Sequence, residues 1–167
     1  IRDVERSRGL GDVYKRQIYT SDDGGSNGDI TFNDKVAING NVTIDSDDGA
    51  ITFTTSIDGA DGTGDNLTID GGTGTITLQV IGATTSLTSL NINTDAGSTA
   101  NLTVPNIGAG SAGVTGATAI GNTNTGTLTL SGTVYKTDGT QTYTAATGGG
   151  NIAVSYTHLR AHETSLH

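Results

Sequence analysis

The sequence predicts an all-β fold, a parallel β-solenoid (β-helix) of about five coils. Three observations carry that expectation. Apolar-Thr-apolar triplets recur at Ile30-Thr31-Phe32, Ile51-Thr52-Phe53, Ile76-Thr77-Leu78, Leu102-Thr103-Val104 and Leu128-Thr129-Leu130. Their spacings of 21, 25, 26 and 26 residues fall in the range of stacked repeat architectures. Only 32% of the residues are hydrophobic and 26 of 167 are glycine, against ~45–50% apolar residues in an ordinary globular domain, so a thick core is not expected. No run of helical length shows helical periodicity, and the abundant Thr, Gly and Asn are poor helix formers.

Each triplet reads as the first strand of a coil. Period two turns its flanking aliphatics to one face and its Thr to the other, and β-branched side chains suit a pleated surface. Five or six residues later comes a lone apolar mark, at Val36, Ile57, Ile81, Ile107 and Val134, which predicts a second short strand. A further strand is predicted at Val42-Thr43-Ile44, Leu67-Thr68-Ile69 and Leu90-Asn91-Ile92, closed by Asp45, Asp70 or Asn93. In the fourth coil GAGSAGVTGATAIGN offers only Val114 and Ile120 for that strand, and Pro105 directly follows the first triplet; a local irregularity is expected there. The intervening DGADGTGDN, DGGTG, DAGST and GAGSAG supply turn positions that Gly and Asp favour. The coils are thus 30–50, 51–75, 76–101, 102–127 and 128–153. A single coil cannot bury its own aliphatics. Stacked at ~4.8 Å, five coils would form a narrow apolar column ~24 Å long.

The ends differ in composition from the middle. All three His and six of the eight basic residues lie outside 18–153. SRGLGDVYKRQ (7–17) and VSYTHLRAHET (154–164) can be back-translated into strings that are reverse complements apart from their ends. Both resemble the transposase mosaic end and adapter of sequencing libraries, read through on opposite strands. On that resemblance 1–17 and 154–167 are adapter-derived, unstructured and not native, and 18–153 is the β-solenoid repeat fragment. His158, His162 and Glu163, which have the spacing of a helical metal pair, then belong to translated adapter. Because the chain opens on Ile1, its native start is expected upstream.

Composition excludes several kinds of chemistry. Cys is absent, which removes disulfides, thiolate nucleophiles and Cys-based zinc sites. Residues 18–153 contain no His, Cys, Glu or Arg, so hydrolytic triads, kinase-type sites and phosphate clamps have no residues to use. No catalytic or cofactor-binding residue is assigned, and the chain is read as not an enzyme. A polysaccharide-lyase-type β-helix is the enzymatic alternative; its basic residue would have to be Lys35 or Lys136. Two Lys against thirteen Asp in the middle, a net of −11, would repel a nucleic-acid backbone. No stretch has the ~18 apolar residues of a membrane span.

The phrases GDITFNDKVAINGNVTIDSDDGAITF (28–53), SLTSLNINTDAG (86–97) and TGTLTLSGTVYKTDGTQTYTAATGGGNI (125–152) resemble the repeat regions of large bacterial surface adhesins. These are the filamentous-haemagglutinin-like exoproteins of two-partner secretion and related autotransported proteins. Gly-Thr-Gln-Thr-Tyr (139–143) is the most distinctive piece. The resemblance implies a right-handed parallel β-helix, secreted to the bacterial outer surface, that acts in adhesion or biofilm matrix. Its partners would be host-cell or matrix glycans and proteins, together with neighbouring coils of a longer parent chain. It supplies no active-site residues.

Two binding alternatives are legible. Asp45, Asp47 and Asp48, and Asp58, Asp61 and Asp65, cluster carboxylates on turns, as a calcium site would need. Neither segment fits an EF-hand loop or the GGxGxDx nonapeptide, and the competing reading is Asp-Gly turns whose carboxylates bond local N–H groups. Thr75-x-Thr77 and Thr127-x-Thr129 have the spacing of ice-binding solenoids, with Thr52-x-Thr54 nearly aligned, but Asp29 and Asn101 interrupt the array. Sequons at Asn41, Asn66 and Asn101 are chance matches in Thr/Asn-rich sequence. Tyr135 and Tyr143 are expected to cover the apolar column, with sugar stacking as the alternative.

Overall fold

A computed structural model describes residues 15–19, 28–146 and 150–154. Over these residues the chain is an all-β parallel β-solenoid of about five turns. The predicted triplets form one six-stranded sheet: β2 (Ile30–Phe32), β5 (Ile51–Phe53), β8 (Ile76–Thr77), β10 (Leu102–Val104), β12 (Leu128–Leu130) and β14 (Ile152–Val154) lie side by side. Ile30, Ile51, Ile76, Leu102, Leu128 and Ile152 stand in register along it. A second sheet orders β1 (Lys15–Tyr19), β4 (Asn41–Asp45), β7 (Asn66–Asp70), β9 (Ser89–Ile92), β11 (Thr118–Ile120) and β13 (Gln141–Tyr143). A third side begins with β3 (Val36–Ile38) and β6 (Ile57–Gly59) and continues as single bridges from Ile57 through Ile81 and Ile107 to Tyr135.

The aliphatics of the triplets turn inward, as their period requires. Ile51, Phe53, Ile57, Leu67, Ile69, Leu90 and Ile92 are fully buried; each such side chain contributes about 1.5–3 kcal/mol by leaving water. Phe32 and Phe53, one ladder step apart, stack at 4.7 Å between ring centroids. Because each face is reused every coil, one column of side chains serves the whole length. This is how a chain poor in apolar residues builds a continuous apolar core.

The fourth and fifth coils depart from the expected pattern in three places. Val114 and Ile120 do not share a strand: Ile120 lies in β11 beside Ile92 and Tyr143, while Val114 joins Leu87 and Thr137 in a separate line of bridges. The coil thus has a fourth inward corner that the three-strand reading omitted. Tyr135, not Val134, carries the mark of the fifth coil. Its hydroxyl accepts from the Gly132 N–H at 2.7 Å and donates to the Val104 carbonyl at 2.8 Å, and a one-residue slip would turn it to the other face. Tyr143 meets Tyr135 edge to face at 6.3 Å, and both pack on the column, the covering role anticipated for them.

Thr118 is the third departure. It stands in line with Leu67 and Leu90, is 1% exposed, and its hydroxyl has no hydrogen-bond partner among the described residues. A buried unpaired hydroxyl carries its full desolvation cost. Thr118→Val keeps the branched shape and is expected to raise stability by about 1 kcal/mol, read as a higher urea midpoint at unchanged slope; a lower midpoint would contradict the assignment.

Of the flanks read as adapter-derived, Lys15, Arg16, Gln17 and Val154 fall among the described residues. The first three pair with Asn41, Val42 and Thr43, and Val154 pairs with Leu130. Main-chain ladders accept almost any side chain, so the sheet runs across the change in composition at both ends. The remaining flank positions lie outside the described residues.

Candidate functional site

The six predicted cation-binding aspartates fall into two groups at different corners. Asp45, Asp47 and Asp48 occupy the turn that leads from the second sheet to the next coil of the first; Asp58, Asp61 and Asp65 bracket the loop from the third side to the second sheet. Five of the six accept hydrogen bonds from the chain. Asp45 Oδ1 takes the Asp47 N–H at 3.1 Å, and Asp48 Oδ1 takes Thr73 N–H at 2.6 Å. Asp61 Oδ1 takes Thr63 N–H at 2.8 Å. The buried Asp65 accepts from Gly40, Asp61 and Gly62. Asp47 is exposed, with a left-handed φ of 47°.

Asp58 is the most heavily engaged. At 2% exposure it accepts from the Thr84 and Thr85 amides at 2.8 and 3.2 Å and from Ser56 Oγ at 3.2 Å. It also pairs with Lys35 Nζ at 3.1 Å. Burial pushes its carboxyl up, but the Thr84 amide, Lys35 and the Thr85 amide together outweigh that and hold it at about 2, against 3.8 normally. A folded pKa below the unfolded one means that the carboxylate's contribution is complete above about pH 4 and is lost as pH falls toward 2. Urea midpoints measured across that window should fall for the parent and fall less for Asp58→Asn.

A third acidic group emerges only in three dimensions: Asp45 and Asp70 are ladder partners, with Asp95 near them on the following coil. Burial first, and then the charges of Asp70 and Asp45, push the Asp95 carboxyl up. Among the described residues no three carboxylates or imidazoles gather in a metal-binding arrangement. With five of the six candidate aspartates already holding backbone N–H groups, calcium is expected to raise the melting temperature no more than matched magnesium. An excess shift with calcium would reinstate the turn carboxylates as ligands.

The outward side of the first sheet has a different character. Thr31, Thr52 and Thr77 are ladder partners in turn, and Thr103 pairs with Thr129; the Ile76–Leu102 pair continues the register between the two groups. From the second coil onward this face carries Thr and Asn with no charge. The residues that interrupt the neighbouring column are tied into the ladder: Asp29 Oδ1 accepts Ala50 N–H at 2.8 Å and Asn101 Oδ1 accepts Thr127 N–H at 2.7 Å. Thr54 does not extend the column freely, because its hydroxyl bonds the Phe32 and Asn33 carbonyls.

Between the third and fourth coils this face is concave. β8 has two residues and meets β10 at a single pair. The turn leading to β10, residues 93–101, is longer than the preceding one, residues 71–75, and its Thr99 N–H donates to the Gly72 carbonyl at 3.2 Å. The result is an open cleft of about 580 Å³, walled by Thr73, Thr75, Thr77, Thr99, Asn101 and Thr103, with Ile76 and Leu78 beneath. All six wall residues are exposed. None of the five hydroxyls is bonded within the described chain, whereas Ser and Thr at many other turns are, as at Ser46, Ser86, Ser98 and Thr125. The sequence pointed to the Thr column; the cleft, which brings residues of two coils together, was not legible.

No family model, curated protein or solved structure matches this chain.

Proposed function

We propose that this chain is a structural and adhesive repeat segment of a secreted bacterial surface protein, contacting host-cell or matrix glycans and proteins through its repeated outer faces. The observation that carries the reading is the in-register stacking of similar coils, which presents similar outward residues at each ladder step instead of gathering unlike ones into a reaction centre. The resemblance of 28–53, 86–97 and 125–152 to adhesin repeats points the same way. Ile152, 48% exposed on the edge strand of the first sheet, offers an apolar position on which further coils of a parent chain would stack. On this reading the chain catalyses no reaction, and an assay on polygalacturonate should detect no lyase product. The decisive test is adhesion of the purified chain to immobilised matrix and epithelial cells. Saturable attachment is expected; none on any surface would end the proposal.

A second reading draws on the threonine column. Thr31, Thr52 and Thr77, and again Thr103 and Thr129, are ladder partners at the ~4.8 Å spacing, two runs of a hydroxyl-methyl array of the kind that orders water on an ice surface. Thermal hysteresis and ice-crystal shaping by the purified chain would support it, and their absence would dismiss it.

A further inference from the structure

We infer that the cleft over the third and fourth coils is a saccharide site whose ligand is a neutral, linear oligosaccharide, an inference that rests on the adhesive reading above and specifies its partner.

The chemistry of the lining selects the ligand class. Thr75, Thr77, Thr99 and Thr103 each bring a hydroxyl that both donates and accepts and that the described chain leaves unspent. Asn101 adds an amide whose nitrogen is likewise unspent, its oxygen alone being used by Thr127. A ligand matched to such a wall presents many hydroxyls of the same dual character, which is the chemistry of a sugar.

Charge narrows the class to neutral glycans. No charged residue lines the cleft. Beside it lies Asp48, bonded to the Thr73 amide, so a uronic acid or sulfated sugar would meet repulsion and find no cation to pair with. Shape and stiffness favour a linear chain. Thr77 and Thr103 each follow the Ile76–Leu102 ladder pair on successive coils, and coils of such a ladder repeat at ~4.8 Å, close to the length of one pyranose unit, so a glycan lying along the solenoid axis would meet a new coil with each sugar. β-branched side chains fixed on a parallel ladder have little rotamer freedom left to lose on binding. Elsewhere on this face hydroxyls are spent within the chain, as at Thr54 and Ser131.

The test titrates the full chain calorimetrically with cellohexaose, xylohexaose and mannohexaose, with oligogalacturonate as the anionic counterpart. At least one neutral hexamer should bind, and oligogalacturonate should bind more weakly. T77V/T103V, which removes two hydroxyls and keeps their shape, should weaken that binding about tenfold or more, while T31V/T129V, in the same column outside the cleft, should leave it unchanged. Equal melting temperatures would confirm that all variants are folded. The inference is overturned if no neutral hexamer binds, or if T77V/T103V binds as the parent does. Matrix adhesion that survives T77V/T103V would also overturn the cleft assignment while leaving the adhesive reading intact; loss of adhesion by the parent itself would remove the broader reading.

Discussion

Leu102→Ala is expected to destabilise the chain by about 2–5 kcal/mol, the largest effect of any single truncation argued from this core. Leu102 is 1% exposed, with Ile76 and Leu128 as its ladder partners above and below. A solenoid interior is one side chain wide in each column, so the neighbours are held at fixed height by main-chain hydrogen bonds such as Leu102 N–H to the Thr127 carbonyl at 2.9 Å. They cannot close in, and the cavity term is then retained nearly in full. The control is Thr103→Ala on the opposite face of the same strand, expected to cost less than about 1 kcal/mol. Chemical denaturation of the two variants checks the assignment; equal midpoints would mean that the two faces are exchanged.

Gly82→Ala should be comparably damaging for a reason unrelated to burial of apolar area. Gly82 has a φ of 63°, in the left-handed region, and a Cβ placed there would collide with the Gly113 carbonyl of the next coil. The same residue donates its N–H to the Ile57 carbonyl at 2.7 Å. Gly82 cannot withdraw without straining the line of bridges through Ile57, Ile81 and Ile107, nor Gly113 without losing the bond from Leu87 N–H to its carbonyl at 2.9 Å. Left-handed strain and overpacking together are expected to cost about 3 kcal/mol or more. A melting temperature within a few degrees of the parent's would show that the third side of the solenoid yields more readily than its hydrogen bonds imply.

These two positions also mark how far the sequence could be read. Leu102 was legible because a strand announces its faces through alternation, and the triplets repeat often enough to set register without ambiguity. Gly82 was not singled out: a glycine says that some backbone needs freedom, but not which backbone approaches it. Thr118 was hidden for a similar reason, since a Thr in a Thr-rich coil reads as outward until its ladder partners, Leu90 among them, are known. Tyr135 against Val134 turned on a hydroxyl bonded to Val104, a coil away in sequence. For the aspartates, the turn chemistry was legible but the donors of their hydrogen bonds were not, because the Thr84–Asp58 and Thr73–Asp48 bonds span 26 and 25 residues. Alternation is local information, whereas the cleft and the carboxylate partners are set by what the neighbouring coil places alongside.

The contact between Lys35 and Thr84 bears on how such a rod comes apart. Lys35 belongs to the first coil, yet its Nζ donates to Thr84 Oγ1 of the third at 3.0 Å while also holding Asp58 of the second. Stacked repeats ordinarily couple only to their nearest neighbours, so that they fray one unit at a time from an end. A link that skips a unit adds a second-neighbour term, small because the lysine is half exposed, which favours losing the first three coils together over peeling them singly. In hydrogen exchange the amides of those coils would then share one opening free energy, and Lys35→Ala would split it into steps.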